Sequence, residues 1–299
     1  MKTVQDSLKD VKKGTGWSVE QLLEELIADP DIAHFIQKEG LTKEMVERSL
    51  TKFLEYQTQR DKWLKQDATY LAKGYQPILI MNEGYADVSY LESEELVAFR
   101  KQEAIRNRIR LINLPAQFRK ITAEDLDFAD EYRFEVYQAL KRIVEQLGEN
   151  TKGLYLYGTF GIGKTYLMAY LAHRLSVTQQ LSTTMLHYPT FVVEIKHAIK
   201  DGSVKSTIDD IKTAPVLVLD DIGAEQPSSW VRDDVLQVIL QYRMQEDLPT
   251  FFTSNFSLAE LERHFAAGKT GDETWQAKRV MERIRYLAQE MQLKGVNRR

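Results

Sequence analysis

The sequence predicts an α/β fold with a parallel sheet, preceded by a small, mainly helical N-terminal domain that carries a short hairpin. Three observations lead there. Strand and helix patterns alternate from about residue 116 onward, and repeated strand–helix units imply a parallel sheet with helices on both faces. Residues 216–219 (Val-Leu-Val-Leu) are apolar throughout, as a strand buried on both faces should be. Residues 154–157 form another apolar strand pattern, followed at once by a glycine-rich turn and a helical pattern.

Residues 17–65 read as helices. Ser18 with Gln21 makes a capping box, and Leu22, Leu23, Leu26 and Ile27 recur at helical spacing. Asp29-Pro30-Asp31 breaks the pattern, and a further helix is expected after Thr42, running to about Leu71. Residues 78–81 and 86–90 are expected as two short strands joined at Asn82-Glu83-Gly84. Residues 93–110 are expected to be helical and increasingly basic before Leu114-Pro115 interrupts. The expected organisation is a domain over 1–92, a basic helical linker over 93–115 and an α/β domain over 116–299. Within the last, further strands are expected at 183–187 and 250–253, and helices from Pro189 and over about 229–245.

Composition narrows the chemistry. With 43% apolar residues the chain can bury a core, and it has no apolar run long enough to span a bilayer. No apolar stretch of the kind a secretory signal needs follows Met1, so the cytoplasm is the expected compartment. There is no cysteine, which excludes disulfides, thiolate zinc sites and cysteine nucleophiles. The five histidines (His34, His173, His187, His197, His264) show no metal-ligand spacing. Net charge is −4, yet Arg100, Lys101, Arg106, Arg108, Arg110, Arg119 and Lys120 crowd one segment, and the tail from Lys278 is again basic. Such segments are solvated helix faces or nucleic-acid contacts, and both readings stand.

Gly158-Thr159-Phe160-Gly161-Ile162-Gly163-Lys164-Thr165 matches G-x-x-x-x-G-K-[ST] in full, between a strand and a helix. Glycines let such a loop wrap phosphates with backbone N–H groups and a helix N-terminus turned inward. Lys164 is expected at the β- and γ-phosphates and Thr165 at Mg²⁺. Gly158, Thr159, Gly161, Ile162, Gly163 and Tyr166 complete the expected nucleotide contacts. Asp220 and Asp221 close the apolar strand at 216–219: Asp220 is expected to hold magnesium and Asp221 to act as base toward the attacking water. Asn255, ending Phe251-Phe252-Thr253-Ser254-Asn255, either reaches the γ-phosphate or the lytic water, or caps the next helix in competition with Ser257. Arg283 is either a solvated, carboxylate-paired arginine or a finger reaching a neighbouring subunit's nucleotide. Tyr188, Phe191, Lys196, Lys200 and Lys205 interleave aromatics and bases, the pattern that stacking and phosphate contacts to single-stranded DNA require, or that of an ordinary amphipathic helix.

The phosphate loop, Leu219-Asp220-Asp221-Ile222-Gly223-Ala224-Glu225, Thr253-Ser254-Asn255 and Met281-Glu282-Arg283 occur in that order. This resembles the AAA+ helicase-loader ATPases of the bacterial DnaC/IstB group. Ser228-Ser229-Trp230-Val231-Arg232-Asp233-Asp234, Gln241-Tyr242-Arg243 and Asn297-Arg298-Arg299 look like its primosomal members. The resemblance implies ATP with Mg²⁺, loading of the hexameric replicative helicase onto single-stranded DNA, contact with other primosomal proteins and self-assembly through the ATPase domain, with no membrane role. It implies that the N-terminal domain contacts the helicase, that Asn255 is the first sensor, Arg283 the trans finger and Arg298 the second sensor. A transposition helper of the IstB type is the alternative; a metabolic P-loop kinase fits the Thr253–Asn255 and Arg283 elements badly. Two departures stand out: the cysteines that hold zinc in the primosomal members are missing, so no zinc is expected and the hairpin must be held by packing; and Asp221 replaces the usual Glu, which implies slow, switch-like hydrolysis.

Overall fold

The computed structural model describes residues 19–127, 130–148, 152–268 and 271–297. Ser18 of the expected capping box lies outside them. The chain divides into two compact units, one up to Lys101 and one from Gln102.

The first unit opens with helices α1 (Val19–Ala28), α2 (Pro30–Glu39), α3 (Lys43–Arg48) and α4 (Leu50–Leu64). Asp29-Pro30 is a helix start as much as a break: Asp29 accepts from the Asp31 and Ile32 N–H groups, and Pro30 sits where no N–H partner is needed. The helix expected from Thr42 begins there but is divided at Ser49 and ends at Leu64, short of Leu71. Ser49 is fully buried, donating to the Met45 carbonyl at 2.7 Å and accepting from the Ala86 N–H at 2.8 Å. That second bond docks the hairpin of β1 (Tyr75–Asn82) and β2 (Tyr85–Glu92), which turns on Glu83 and Gly84, both at positive φ. Ala86 belongs to one core cluster with Leu50 and Phe53, Leu79, Met81 and Val88 pack against that cluster, and Lys52 pairs with Asp87 at 2.9 Å. Packing holds the hairpin, as the lack of cysteine requires. Arg60 of α4 spans both oxygens of Asp29 (2.7 and 2.6 Å) and reaches Asp31 (2.8 Å), tying α4 to the start of α2.

Helix α5 (Glu94–Asn107) contains the division between the units. It ends before β3 (Ile109–Ile112), which corrects the expected linker: residues 109–112 are a strand of the main sheet. The rest of the second unit runs α6 (Glu131–Gln146), β4 (Gly153–Tyr157), α7 (Lys164–Gln179), β5 (Thr183–His187), α8 (Tyr188–Asp201), α9 (Val204–Lys212), β6 (Val216–Asp220), α10 (Gln237–Gln245), β7 (Thr250–Ser254), α11 (Leu258–Ala266), α12 (Thr274–Leu287) and β8 (Ala288–Gln292). A π-helical stretch, Val231–Leu236, precedes α10 where one regular helix was expected. The sheet order is β8-β4-β7-β6-β5-β3 with every neighbour parallel. Alternate residues feed two cores: Leu217 and Leu219 face α8 to α12, whereas Val216 and Val218 face α6 and α7. Arg243, wholly buried, closes the bottom of the sheet by donating to Thr250 Oγ1 and to the carbonyls of Lys212, Ala214 and Pro249. Among the described residues no helix is long and apolar enough to cross a membrane.

Candidate nucleotide site

Strand order builds the site. β7 lies between β4 and β6, so the carboxyl ends of the three strands bring the glycine loop, Thr253 to Asn255, and the acid pair to one edge, where open α/β sheets place their ligands. Lys164 is buried at the start of α7, and its Nζ donates to the Gly158 carbonyl (2.8 Å), the Thr159 carbonyl (2.9 Å) and Asn255 Oδ1 (2.8 Å). Asn255 Nδ2 donates in turn to Asp221 Oδ1 at 2.8 Å. One amide therefore joins the phosphate-loop lysine to the acid expected to act as base. Ser257 forms the capping box of α11 with Glu260, so Asn255 is not the helix cap.

Asp220 is 3% exposed and sits between two hydroxyls: Thr165 Oγ1 donates to it at 2.9 Å and Thr253 Oγ1 at 2.7 Å. Burial pushes its carboxyl above the ordinary range, the two hydroxyls oppose that shift, and neighbouring Asp221 adds to it. Thr253 also accepts from the Asp221 N–H at 2.9 Å, which helps hold Asp221 in a left-handed conformation (φ 60°). In the sequence Thr253 stands within the Thr253-Ser254-Asn255 motif with no role of its own assigned. Thr165 hydroxyl and Asp220 carboxylate are hard oxygen donors beside a phosphate loop, a set that fits Mg²⁺.

A cleft of about 790 Å³ lies over this edge. Gly161, Gly163, Lys164, Thr165, Tyr166, Asp220, Asp221 and Asn255 line it, together with residues that sequence reasoning did not single out: Asn113 to Pro115, Phe118 and Arg133. Phe118 meets Tyr166 edge to face at 5.7 Å. The stretch that follows β3 thus forms one wall, a consequence of the strand hidden in the arginine run. Ile162 is 1% exposed, belongs to the core beneath the loop and is absent from the lining of the cleft. Gly161 has φ 76°, a left-handed conformation that favours glycine, and the side chain of Asn297 from the C-terminal tail lies against it.

Other expected site residues lie elsewhere. Tyr188 and Phe191 are 1% and 2% exposed, their rings 6.3 Å apart in the core under α8, so they have no face to offer a base. The stacking role is corrected on that ground. Lys196 and Lys205 are exposed, whereas the side chain of Lys200 lies outside the described ones. Arg298 also lies outside the described residues. Arg283 of α12 is absent from the lining of its own cleft; its Nε donates to Gln241 Oε1 at 2.8 Å, and burial lowers its affinity for a proton. In the basic run, Arg100, Arg106 and Arg110 pair with Glu92, Glu103 and Asp210, which favours the solvated-face reading there.

Comparison with known proteins bears on both units. Residues 1–90 match the family model "Primosomal protein DnaI N-terminus" and residues 82–299 match "IstB-like ATP binding protein". The chain is 36% identical over 290 residues to the replicative helicase loader DnaI of Bacillus subtilis (strain 168), covering 94% of this chain and 93% of that protein. Among solved structures, a primosome component from Streptococcus pyogenes serotype M3 is 53% identical with a TM-score of 0.57, covering 67% of this chain and all of that one. A crystal structure of DnaI is 41% identical with a TM-score of 0.58, covering 65% of this chain and 99% of that one. The chain belongs to the DnaI family of helicase loaders, and its second unit is an ATP-binding domain of the IstB-like type.

Proposed function

We propose that this member of the DnaI family is an ATP-dependent loader that places the hexameric replicative helicase on single-stranded DNA during replication initiation and restart, in the cytoplasm and with other primosomal proteins. The observation that carries the ATP-dependent part is the bridge Lys164–Asn255–Asp221, which crosses from the phosphate loop to the acid pair at one sheet edge. Lys164 and the loop N–H groups hold the phosphates; Tyr166 and the wall at Asn113 to Phe118 border the rest of the cleft. Mg²⁺ bound with ATP neutralises phosphate charge, and Thr165 and Asp220 are the residues that would hold it. Asp221 faces the attacking water, with Asn255 fixing its carboxylate. Its side chain is one methylene shorter than the usual Glu, which supports slow, switch-like turnover. Further positive charge opposite the γ-phosphate is supplied by Arg283 of a neighbouring subunit, through self-assembly of the ATPase domain.

A loader is favoured over an IstB-type transposition helper because residues 1–90 match the DnaI N-terminus. The N-terminal unit is assigned the helicase contact. The experiment is co-purification with the cognate replicative helicase, with and without ATP, for the full chain and for a chain lacking residues 1–92, which keeps α5 whole. The full chain is expected to capture the helicase and the shortened one to bind ATP without capturing it. Equal capture by both would overturn the division of labour.

A further inference from the structure

Arg133 was not singled out by any motif, yet it is 7% exposed and lines the cleft beside Gly163, Lys164 and Thr165. It stands on the first turn of α6, outside the glycine motif by some distance in sequence. Its Nη2 donates to the Ile162 carbonyl at 2.6 Å, a buried, charge-assisted bond. Gly163 makes room for it: a Cβ on Gly163, at φ 91°, would lie 2.3 Å from Nη2.

The Ile162 carbonyl and the Gly163 N–H belong to one peptide unit. This peptide bond is trans, as are all others among the described residues, so the two groups point in opposite directions across a rigid plane. Whatever captures the carbonyl therefore aims the N–H. With glycine on one side of that plane, the backbone has unusual freedom to flip, and the loop needs an outside group to choose one orientation. We propose that Arg133 is a positioning residue of the nucleotide site: by holding the Ile162 carbonyl, it presents the Gly163 N–H as a fixed donor to the phosphates. This rests on reading the cleft as the nucleotide site. Arginine suits the task because its planar fork holds a carbonyl with little loss of side-chain freedom per bond, whereas lysine offers a single mobile ammonium.

The test uses the full chain, titrated with fluorescent analogues of ATP and of ADP and melted with and without nucleotide. Arg133→Met is expected to bind both nucleotides about tenfold to hundredfold more weakly, the loss that follows from one charge-assisted bond. Arg133→Lys is expected to recover most of that loss, settling about threefold below the wild type. Without nucleotide Arg133→Met is expected to melt lower, because the buried Ile162 carbonyl loses its partner, and Arg133→Lys close to the wild type, while the rise in melting temperature on adding ATP shrinks with affinity. Wild-type affinity in Arg133→Met overturns the proposal. So does equal weakening in both variants together with a nucleotide-free melting temperature lowered in both, the signature of a merely structural arginine. If Arg133→Met does not fold, Arg133→Lys decides alone, and wild-type affinity in it counts against the proposal. Lys164→Ala separates the levels: normal affinity in that variant sinks the nucleotide reading itself, whereas its loss alongside a normal Arg133→Met sinks only the role of Arg133.

Discussion

Each unit contains a web of charged and polar side chains, and the two webs face different things. In the second unit Lys164, Asn255, Asp221, Asp220, Thr165 and Thr253 come from the ends of β6 and β7 and from the start of α7, and they surround a cleft. In the first unit Arg60, Asp29 and Asp31 join one helix to the start of another. Both webs are hydrogen-bonded and partly or wholly buried, so neither charge nor burial distinguishes them. The surroundings do. Asp29 spends its oxygens on the first N–H groups of α2 and on Arg60, and has none left to offer a ligand in place of its structural partners. Asp220 lies in a web where two of its partners, the Thr165 and Thr253 hydroxyls, are groups that can rotate toward another acceptor. A web built on rotatable partners at a sheet edge is poised to exchange them, and one built on backbone N–H groups is not.

The largest test of that contrast adds a second subunit to the cleft. Arg283→Ala is expected to bind ATP as the wild type does, because Arg283 does not line its own cleft. Hydrolysis stimulated by the helicase is expected to fall on the order of 10³-fold, as loss of a trans-acting arginine does in other phosphoryl-transfer enzymes. Lys164→Ala has the opposite defect, a dead cleft beside a sound finger. Mixing the two variants should restore part of the activity. No rescue despite demonstrated co-assembly would return Arg283 to a half-buried arginine held by Gln241.

Next in size is Asn255→Ala. It removes the link between Lys164 and Asp221 while leaving both charges, so turnover should drop on the order of 100-fold through a mispositioned base. Affinity for ATP should change far less. A fall in affinity as steep as the fall in turnover would mean that Asn255 binds phosphate directly and does not act through Asp221.

Sequence pattern made the centre of the sheet legible and hid its edges. Residues 216–219 and 154–157 are buried on both faces and read as unbroken apolar runs. β3 and β8 lie at the two edges, with Arg110 exposed on one and Gln289 and Glu290 exposed on the other, so their patterns resemble a basic helix and a polar tail. Missing β3 also shifted the domain boundary and concealed the cleft wall at Asn113 to Phe118. The glycine loop and acid pair were legible because their chemistry demands fixed residue types at fixed spacing. Arg133 and Thr253 were not, since each acts through a contact whose partners are set only by tertiary packing. Tyr188 and Phe191 failed for a related reason: alternation of aromatics and lysines describes a buried helix face with a solvated back as well as it describes a stacking surface.

In the first unit the expected effects are on stability. Arg60→Ala strips Asp29 of its main partner, the Arg60 guanidinium, which is what chiefly holds the Asp29 carboxyl below the ordinary range; backbone N–H groups add to that and burial opposes it. A cost of about 1–3 kcal/mol is expected, the worth of charged hydrogen bonds in a partly buried pair. The sign with pH follows from the lowered value. Asp29 contributes stability above the ordinary carboxylate range and loses it as pH falls through its own depressed value. Acid should therefore destabilise the wild type more than Arg60→Ala in circular-dichroism melts of the first unit's signal, and the gap between the two should close as Asp29 protonates. A gap that widens in acid would mean that Arg60 acts through something other than Asp29.

The smallest effect belongs to DNA. With Tyr188 and Phe191 in the core, those two aromatics give base stacking no support on this face, and the expectation rests on the charge of exposed Lys196 and Lys205. A purely electrostatic contact releases counterions in proportion to the phosphates neutralised, so affinity for single-stranded DNA should fall linearly as salt rises on logarithmic axes. Each lysine that touches phosphate contributes about 0.7 to that slope on a single strand. Lys196→Ala combined with Lys205→Ala should flatten the slope by about 1.4 and weaken binding a few-fold near physiological salt, equally for pyrimidine-rich and purine-rich strands, as phosphate contacts carry no base preference. A salt slope unchanged in the double variant would place DNA on another surface of the second unit. A slope that flattens while a preference between the two strands vanishes would show that bases are read near these lysines after all, by side chains other than the two buried aromatics.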